Sequence, residues 1–156
     1  MLFRSVAHRP ERLLVRASTG APGWAAVPWL AFFAPHVTRS MRRGLYVAIF
    51  IDAAEERVLL ALQHGAADAL TALGPEAGLA HLRALAEETR ADLPQGHGFS
   101  AGPMRLHTPA ALPRGYEAGA VLVWASAAEG PELGDLQPAL LRMLDLYAGL
   151  VGAAPR

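Results

Sequence analysis

The sequence contains neither cysteine nor lysine, and each absence excludes a class of function. Without cysteine the chain cannot form disulfides, thiolate zinc sites or a cysteine nucleophile, and nothing in it argues for an oxidising compartment. Without lysine it cannot contain the glycine-rich phosphate loop of nucleotide hydrolases, which ends in Gly-Lys-Ser/Thr. We therefore expect any motor that works with this chain to be a separate polypeptide.

Long apolar runs and targeting signals are lacking as well. The longest mostly apolar stretch, residues 24–35, is interrupted by prolines and is far shorter than the ~20 residues of a membrane span. Residues 1–16 are rich in arginine and contain no apolar core of a secretory signal. We expect a soluble, cytoplasmic protein without a membrane partner. The 156 residues, 53% hydrophobic and 18% charged, predict one globular domain over residues 1–156.

Motifs for metal binding are also missing. The six histidines are scattered, with no H-x-x-x-H spacing. We interpret the serines as turn and cap residues and not as nucleophiles. Asp52, Glu55 and Glu56 fall in a predicted hairpin turn, where acidic residues are expected to be solvated. We therefore predict no catalytic residue, no metal and no cofactor, and a protein that is not an enzyme.

The charge is strongly polarised along the chain although the formal net charge is zero. Residues 1–43 carry seven arginines and one acid, which gives a net charge of +6. Residues 44–156 carry seven arginines and thirteen acids, which gives a net charge of −6. Zero net charge argues against a nucleic-acid partner, but the basic first part is suited to binding phosphates.

The apolar patterns predict an α+β fold in one domain, with a curved mixed β-sheet and helices packed on one side. Pro28 lacks a backbone donor, so its strand is expected at a sheet edge or bulge. The predicted strands are residues 12–18, 24–33, 45–52, 57–63 and 119–126, with a short one at 104–107. Residues 66–90 are predicted to be a helical region with a helix start at Gly74-Pro75-Glu76, and residues 136–151 a closing helix. Residues 92–115 are predicted to be an irregular connection.

Residues 20–46 place aromatic side chains beside a cluster of cations. Trp24, Trp29 and Tyr46 are interleaved with a polar loop that contains Arg39, Arg42 and Arg43. Aromatic faces stack on bases and arginines bind phosphates, so this combination is what an extruded or single-stranded nucleotide requires. From the pattern alone, core aromatics beside a solvated arginine loop are the favoured interpretation.

Residues 12–65 resemble the N-terminal domain of McrB and its relatives. The similarity lies in a strand, a glycine loop, Val27-Pro28-Trp29, a polar loop, Gly44-Leu45-Tyr46 and an apolar hairpin. A second block, from residues 115–119 to the closing helix, is similar to the end of that domain. The resemblance implies a domain that binds double-stranded DNA and rotates a modified cytosine, most simply 5-methylcytosine, into a pocket on the sheet. It further implies the specificity module of a modification-dependent restriction or defence system, without catalytic activity of its own.

Site residues follow from the resemblance position by position. Trp29 matches the pocket tryptophan, Tyr116 the pocket tyrosine and Phe50 the residue at the pocket floor, and Tyr46 belongs to the same block. Ala21 stands where McrB has a tyrosine that contacts the base, so Trp24 becomes the candidate for the missing stacking face. The phosphate-binding candidates are Arg39, Arg42 and Arg43, supported by Arg12, Arg16 or Arg4.

Two alternatives remain open from the sequence. One is a reader of another modification, such as N6-methyladenine, a bulkier cytosine adduct or modified RNA. The other is a protein-interaction module that docks a nuclease or motor subunit through an aromatic edge strand, which the zero net charge and Ala21 favour.

Overall fold

The centre of the fold is a five-stranded sheet, seen in a computed structural model that describes residues 6, 9, 12–18, 27–102, 104–108 and 110–152. The strands lie side by side in chain order: β1 (Leu14–Ser18), β2 (Trp29–Phe33), β3 (Leu45–Asp52), β4 (Arg57–His64) and β5 (Ala120–Ala127). The sheet is open, and the predicted α+β class is confirmed. The sheet is not mixed as predicted, because each pair of neighbouring strands is antiparallel.

Four α-helices accompany the sheet in the described part of the chain. They are α1 (Ala67–Leu73), α2 (Pro75–Ala91), α3 (Ala111–Ala118) and α4 (Leu136–Val151), the last preceded by a 3-10 helix (Pro131–Asp135). Gly74 separates α1 from α2 with a φ of 84°, a conformation that favours glycine, and Pro75 begins α2 where its missing N–H has no cost. The predicted helical regions 66–90 and 136–151 are thus confirmed. None of the described helices is long and apolar enough to span a membrane.

Helices cover both faces of the sheet, so the prediction that they pack on one side is wrong. Alternate residues of a strand point to opposite faces. On β3, Val47 and Ile49 pack in a core with α4, whereas Tyr46 and Phe50 pack in a second core with α2 and α3. Because β3 is apolar at successive positions, neither of its faces can remain in water.

Tyr147 joins α4 to the sheet through two hydrogen bonds. Its hydroxyl donates to the carbonyl oxygen of Leu45 at 2.8 Å and accepts the backbone N–H of Ala34 at 2.9 Å. The phenol is buried, and burial raises the pKa of Tyr147 to about 12. The hydroxyl therefore stays protonated and holds the start of the 34–44 segment in place.

The strand that follows Pro28 lies inside the sheet and not at its edge. β2 pairs with β1 on one side and with β3 on the other. Pro28 directly precedes the first paired residue, and its carbonyl oxygen accepts the N–H of Ile51 at 3.0 Å. The prediction of an edge or bulge is wrong because a proline at the entrance of a strand removes no ladder donor.

The predicted irregular connection contains a helix at its end. The described residues between 92 and 110 lack regular structure apart from a bridge between Ser100 and Val123, and the predicted strand at 104–107 is not among them. Helix α3 was not predicted because its segment contains Pro113 and Gly115, and both residue types are common in loops. Pro113 lies in the first turn, where its N–H would have no partner. A Cβ at Gly115 would come within 2.6 Å of the Cβ of Ala66, so glycine lets α3 approach α1.

Candidate nucleic-acid interface

A cleft of about 350 Å³ opens on the face of the sheet that α3 covers. We call it the aromatic cleft. Its apolar wall combines the first residue of β2 with one face of α3 and a residue of the polar loop, namely Trp29, Leu112, Tyr116 and Met41. Its rim carries three exposed arginines, Arg16, Arg39 and Arg42. Flat rings and cations therefore meet in one concave surface.

Tyr116 is held rigidly at the wall of the aromatic cleft. It stands one turn after Leu112, so both side chains share a face of α3. Its ring centroid lies 5.4 Å from that of Phe50, with the planes inclined by 32°. Only 6% of Tyr116 is exposed, and burial raises the pKa of its phenol to about 12. The hydroxyl is thus protonated at neutral pH and can donate or accept one hydrogen bond.

Trp29 is positioned by its place in the sheet. It is the direct cross-strand partner of Phe50 on β3 and of Ser18 on β1. Cross-strand partners point to the same face, so Trp29 and Phe50 both face α3. The ring of Phe50 therefore links the strand that carries Trp29 to the helix that carries Tyr116.

The same register directs Arg16 toward the aromatic cleft. Arg16 on β1 pairs with Ala31 on β2, and Ala31 belongs to the core on the α3 side. An arginine far from the polar loop in sequence thus joins Arg39 and Arg42. Within the described part of the chain, neither Arg16 nor Arg39 forms an ion pair with a carboxylate.

Hydrogen bonds anchor the backbone of the polar loop that contains Arg39, Arg42 and Arg43. The hydroxyl of Thr38 lies 2.7 Å from the carbonyl oxygen of Arg43 and 3.0 Å from that of Ser40. The carbonyl oxygens of Met41 and Arg42 accept the N–H groups of Ala66 and Asp68, at 3.3 and 3.0 Å. Amides at the start of a helix lack partners within it, so the loop caps α1.

Asp68 in the first turn of α1 partly neutralises the loop. Its Oδ1 lies 2.9 Å from Nε of Arg42, and its Oδ2 lies 3.8 Å from a guanidinium nitrogen of Arg43. The two arginine side chains are 61% and 81% exposed, so both can still reach a ligand.

The structure brings together part of the predicted site. Trp29, Tyr116, Arg16, Arg39 and Arg42 line the aromatic cleft, and Arg43 lies beside it on the same loop. Arg12 is exposed and has a φ of 51°, and it does not line the cleft. Ala21, Trp24 and Arg4 lie outside the described residues.

Phe50 and Tyr46 are fully buried and do not line the aromatic cleft. Phe50 lies behind Tyr116, as described above. The hydroxyl of Tyr46 accepts the Nε2–H of Gln63 at 2.8 Å, and its ring centroid is 5.3 Å from that of Phe33. Burial raises the pKa of Tyr46 well above its usual value.

Leu112 and Met41 are cleft residues that the sequence did not single out. Leu112 was missed because its segment contains proline and glycine. The available signal was the spacing of four residues between Leu112 and Tyr116, which places both on one helical face. Met41 was missed because its polar neighbours predicted a solvated loop. Its side chain is nevertheless buried, with a relative exposure of 8%.

The expectation that all acids of the β3–β4 turn are solvated is wrong for Asp52. Its side chain is 2% exposed, and its Oδ2 lies 2.6 Å from Nδ1 of His107. Its Oδ1 accepts the N–H of Glu55 at 3.4 Å. Asp52 stands two residues after Phe50 on β3, so both side chains point to the face that α3 covers. On that face Asp52 contacts His107 of the segment 104–108. Glu55 and Glu56 are exposed as predicted.

A comparison with protein families agrees with this geometry. A family model described as "MrcB-like, N-terminal domain" matches residues 1–152. The chain belongs to this family. A comparison with curated proteins found no match. An MrcB-like N-terminal domain is the DNA-binding module of a McrB-like restriction system and not its GTPase domain, and it works with other subunits.

Proposed function

We propose that this domain binds double-stranded DNA and takes a modified cytosine, most simply 5-methylcytosine, out of the stack into the aromatic cleft. It makes and breaks no bond itself and serves as the specificity module of a modification-dependent restriction system. One observation carries the proposal: Trp29 and Tyr116 line the same cleft whose rim bears Arg16, Arg39 and Arg42. The arginines hold phosphates while the rings enclose the base.

The size of the aromatic cleft supports a small ligand. Its volume of about 350 Å³ is near the lower end of ligand pockets, which span ~300–1,000 Å³. A single base fits that range better than a larger group. The protonated Tyr116 hydroxyl supplies a hydrogen-bonding group for the edge of the base.

Stacking offsets the cost of extrusion. Removing a base from the duplex costs a few kcal/mol, and stacking on an aromatic ring contributes ~1–3 kcal/mol per base. Burial of one methyl group adds only about 1 kcal/mol, equivalent to about fivefold in affinity. We therefore expect modest selectivity for 5-methylcytosine over cytosine, superimposed on salt-sensitive binding to any duplex.

Fluorescence anisotropy tests the proposal directly. Duplexes that differ in one base, carrying cytosine, 5-methylcytosine, 5-hydroxymethylcytosine, adenine or N6-methyladenine, are titrated at two salt concentrations. Preference for a modified cytosine supports the proposal, whereas preference for N6-methyladenine assigns the cleft to that base.

Trp29→Ala is the decisive variant. It should abolish the preference while leaving weak binding that salt disrupts. The matched control is Trp124→Ala, because Trp124 packs against the core on the opposite face of the sheet. Circular dichroism establishes that both variants are folded at the assay temperature. Unchanged selectivity in Trp29→Ala would remove Trp29 from the pocket.

A protein-docking module is the second candidate, and the zero net charge favours it. The docking edge cannot be the aromatic strand, because β2 lies between two other strands. Among the described strands, the edge on that side of the sheet is β1. Absence of salt-dependent affinity for every duplex, together with binding to a nuclease or motor subunit, would establish this alternative.

A further inference from the structure

A second polar concavity lies beside α3, away from the aromatic cleft. It has a volume of about 320 Å³ and is lined by Arg105, His107, Thr108, Arg114 and Glu117. We call it the α3 hollow. Leu112 and Tyr116 line the aromatic cleft from the same helix, whereas Arg114 and Glu117 line the α3 hollow. The helix therefore stands between the two concavities.

The α3 hollow presents donors suited to an oxyanion. Arg105 and Arg114 are exposed, and neither forms an ion pair with a carboxylate among the residues that the structure describes. The Thr108 hydroxyl oxygen accepts the N–H of Ala110 at 3.3 Å, which leaves its O–H as a donor. One guanidinium group can donate two parallel N–H bonds to the oxygens of a phosphate. Two arginines at one hollow are therefore a suitable phosphate site.

The acidic groups near the α3 hollow are already engaged. Glu117 Oε2 accepts the backbone N–H of Leu106 at 2.8 Å. Asp52 is buried and lies 2.6 Å from Nδ1 of His107, and Glu55 Oε1 lies 3.8 Å from Nε2 of the same ring. The carboxylates of Asp52 and Glu55 thus contact His107, while Arg105 and Arg114 remain available to a ligand.

The two concavities are close enough for one duplex to reach both. They are lined by different faces of α3, and an α-helix with its side chains is about 10–12 Å across. Each nucleotide advances a strand by ~3.4 Å along the duplex axis, so a distance of this order corresponds to a few nucleotides.

We infer that the α3 hollow binds a backbone phosphate of the duplex whose modified base occupies the aromatic cleft, within a few nucleotides of that base. The inference rests on the proposed function. It extends the proposed phosphate-binding surface into residues 44–156, whose net charge of −6 does not predict phosphate binding. Helix α3 then reads the base with one face and the backbone with the other.

The double variant Arg105→Gln/Arg114→Gln tests the inference by anisotropy over a range of salt concentrations. Affinity for modified and unmodified duplexes should fall by the same factor, roughly tenfold at 0.1 M salt. The slope of log affinity against log salt concentration should decrease by about 1, the value for one lost phosphate contact. Arg105→Lys/Arg114→Lys keeps the charge and should retain the slope. Arg83→Gln on α2 is the control, because Arg83 is exposed and lines neither concavity.

Neutral phosphate analogues locate the contact independently of protein folding. Single methylphosphonates are placed at successive positions around the modified base. The wild-type chain should lose affinity at one position within a few nucleotides of the base, and the Arg105→Gln/Arg114→Gln variant should be insensitive at that position only. A wild-type slope in the double variant, or equal sensitivity of both proteins at every position, overturns the inference. Absence of any salt-dependent binding by the wild-type chain overturns the proposed function instead.

Discussion

The rings of Phe50 and Tyr116 lie in contact, with centroids 5.4 Å apart, so the central strand β3 supports the wall of the aromatic cleft from behind. Phe50 is fully buried and is also the cross-strand partner of Trp29. One side chain of the core thus neighbours both aromatic residues proposed to enclose the base.

Phe50→Leu should widen the aromatic cleft. Loss of the ring removes an aromatic contact worth about 0.5–1.5 kcal/mol and leaves space behind Tyr116. We expect the affinity ratio of 5-hydroxymethylcytosine to 5-methylcytosine duplexes to rise several-fold. The control is Phe32→Leu, because Phe32 is equally buried but belongs to the core on the other face. Equal ratios in the two variants would mean that Phe50 does not set the cleft width.

Asp68→Asn should strengthen DNA binding without changing base selectivity. Asp68 lies 2.9 Å from the Arg42 guanidinium, and its removal releases two arginines for phosphates. We expect a few-fold higher affinity for all duplexes at low salt, with the gain lost at high salt because exposed charges are screened. Glu76→Gln at the start of α2 removes an equal charge from an exposed position outside the cleft. A similar gain in that control would indicate a general charge effect and would count against a role for Arg42.

Tyr46→Phe should destabilise the fold and leave DNA binding unchanged. The variant deprives the buried Nε2 of Gln63 of its acceptor, and Gln63 Oε1 already lacks a hydrogen-bond partner among the described residues. Leaving such a group unsatisfied costs about 1–3 kcal/mol in the free energy of unfolding. The double variant Tyr46→Phe/Gln63→Leu should lose less than the sum of the single variants, as measured by urea denaturation. A loss of base selectivity in folded Tyr46→Phe would instead place Tyr46 in the pocket.

The stability of the domain should fall as the pH falls below the usual pKa of histidine. Burial, and secondarily the charge of His81, lowers the pKa of His64 from 6.5. His64 Nε2–H donates to the hydroxyl of Thr89 at 2.7 Å, since that hydroxyl donates to the carbonyl oxygen of Leu85. Above pH 6.5 the imidazole is neutral in both states, and its contribution to stability is fully present.

Below pH 6.5 the unfolded chain binds the proton first, so the free energy of unfolding decreases until the folded His64 titrates as well. One proton limits the slope to about 1.4 kcal/mol per pH unit. His64→Gln can still donate to Thr89 and should remove this component in thermal unfolding between pH 7 and pH 5. The variant His81→Gln, at an exposed position, should retain most of this pH-dependent decrease in the free energy of unfolding. An unchanged pH profile in His64→Gln would show that His64 titrates alike in both states.

Much of the fold could be predicted from local patterns. The β3–β4 hairpin follows from two apolar runs separated by an acidic turn, and α2 and α4 follow from helical periodicity with Gly74-Pro75 and a repeat of apolar residues. These signals are local because turn residues and side-chain periods act over a few positions. The family resemblance added Trp29 and Tyr116 as partners, although 87 positions separate them in the sequence.

The sequence by itself excluded cysteine chemistry and a lysine-containing phosphate loop, and it determined the strands, the long helices and the placement of aromatics near arginines. Only the tertiary structure decided which of those residues share a surface. Antiparallel register directed Arg16 and Trp29 to the same face, and the close approach of Gly115 to Ala66 allowed α3 to present Tyr116 beside them. The same packing buried Tyr46 and Asp52, whose surroundings come from segments far along the chain. Such contacts depend on which elements meet in space, and that information is not contained in the period of any one segment.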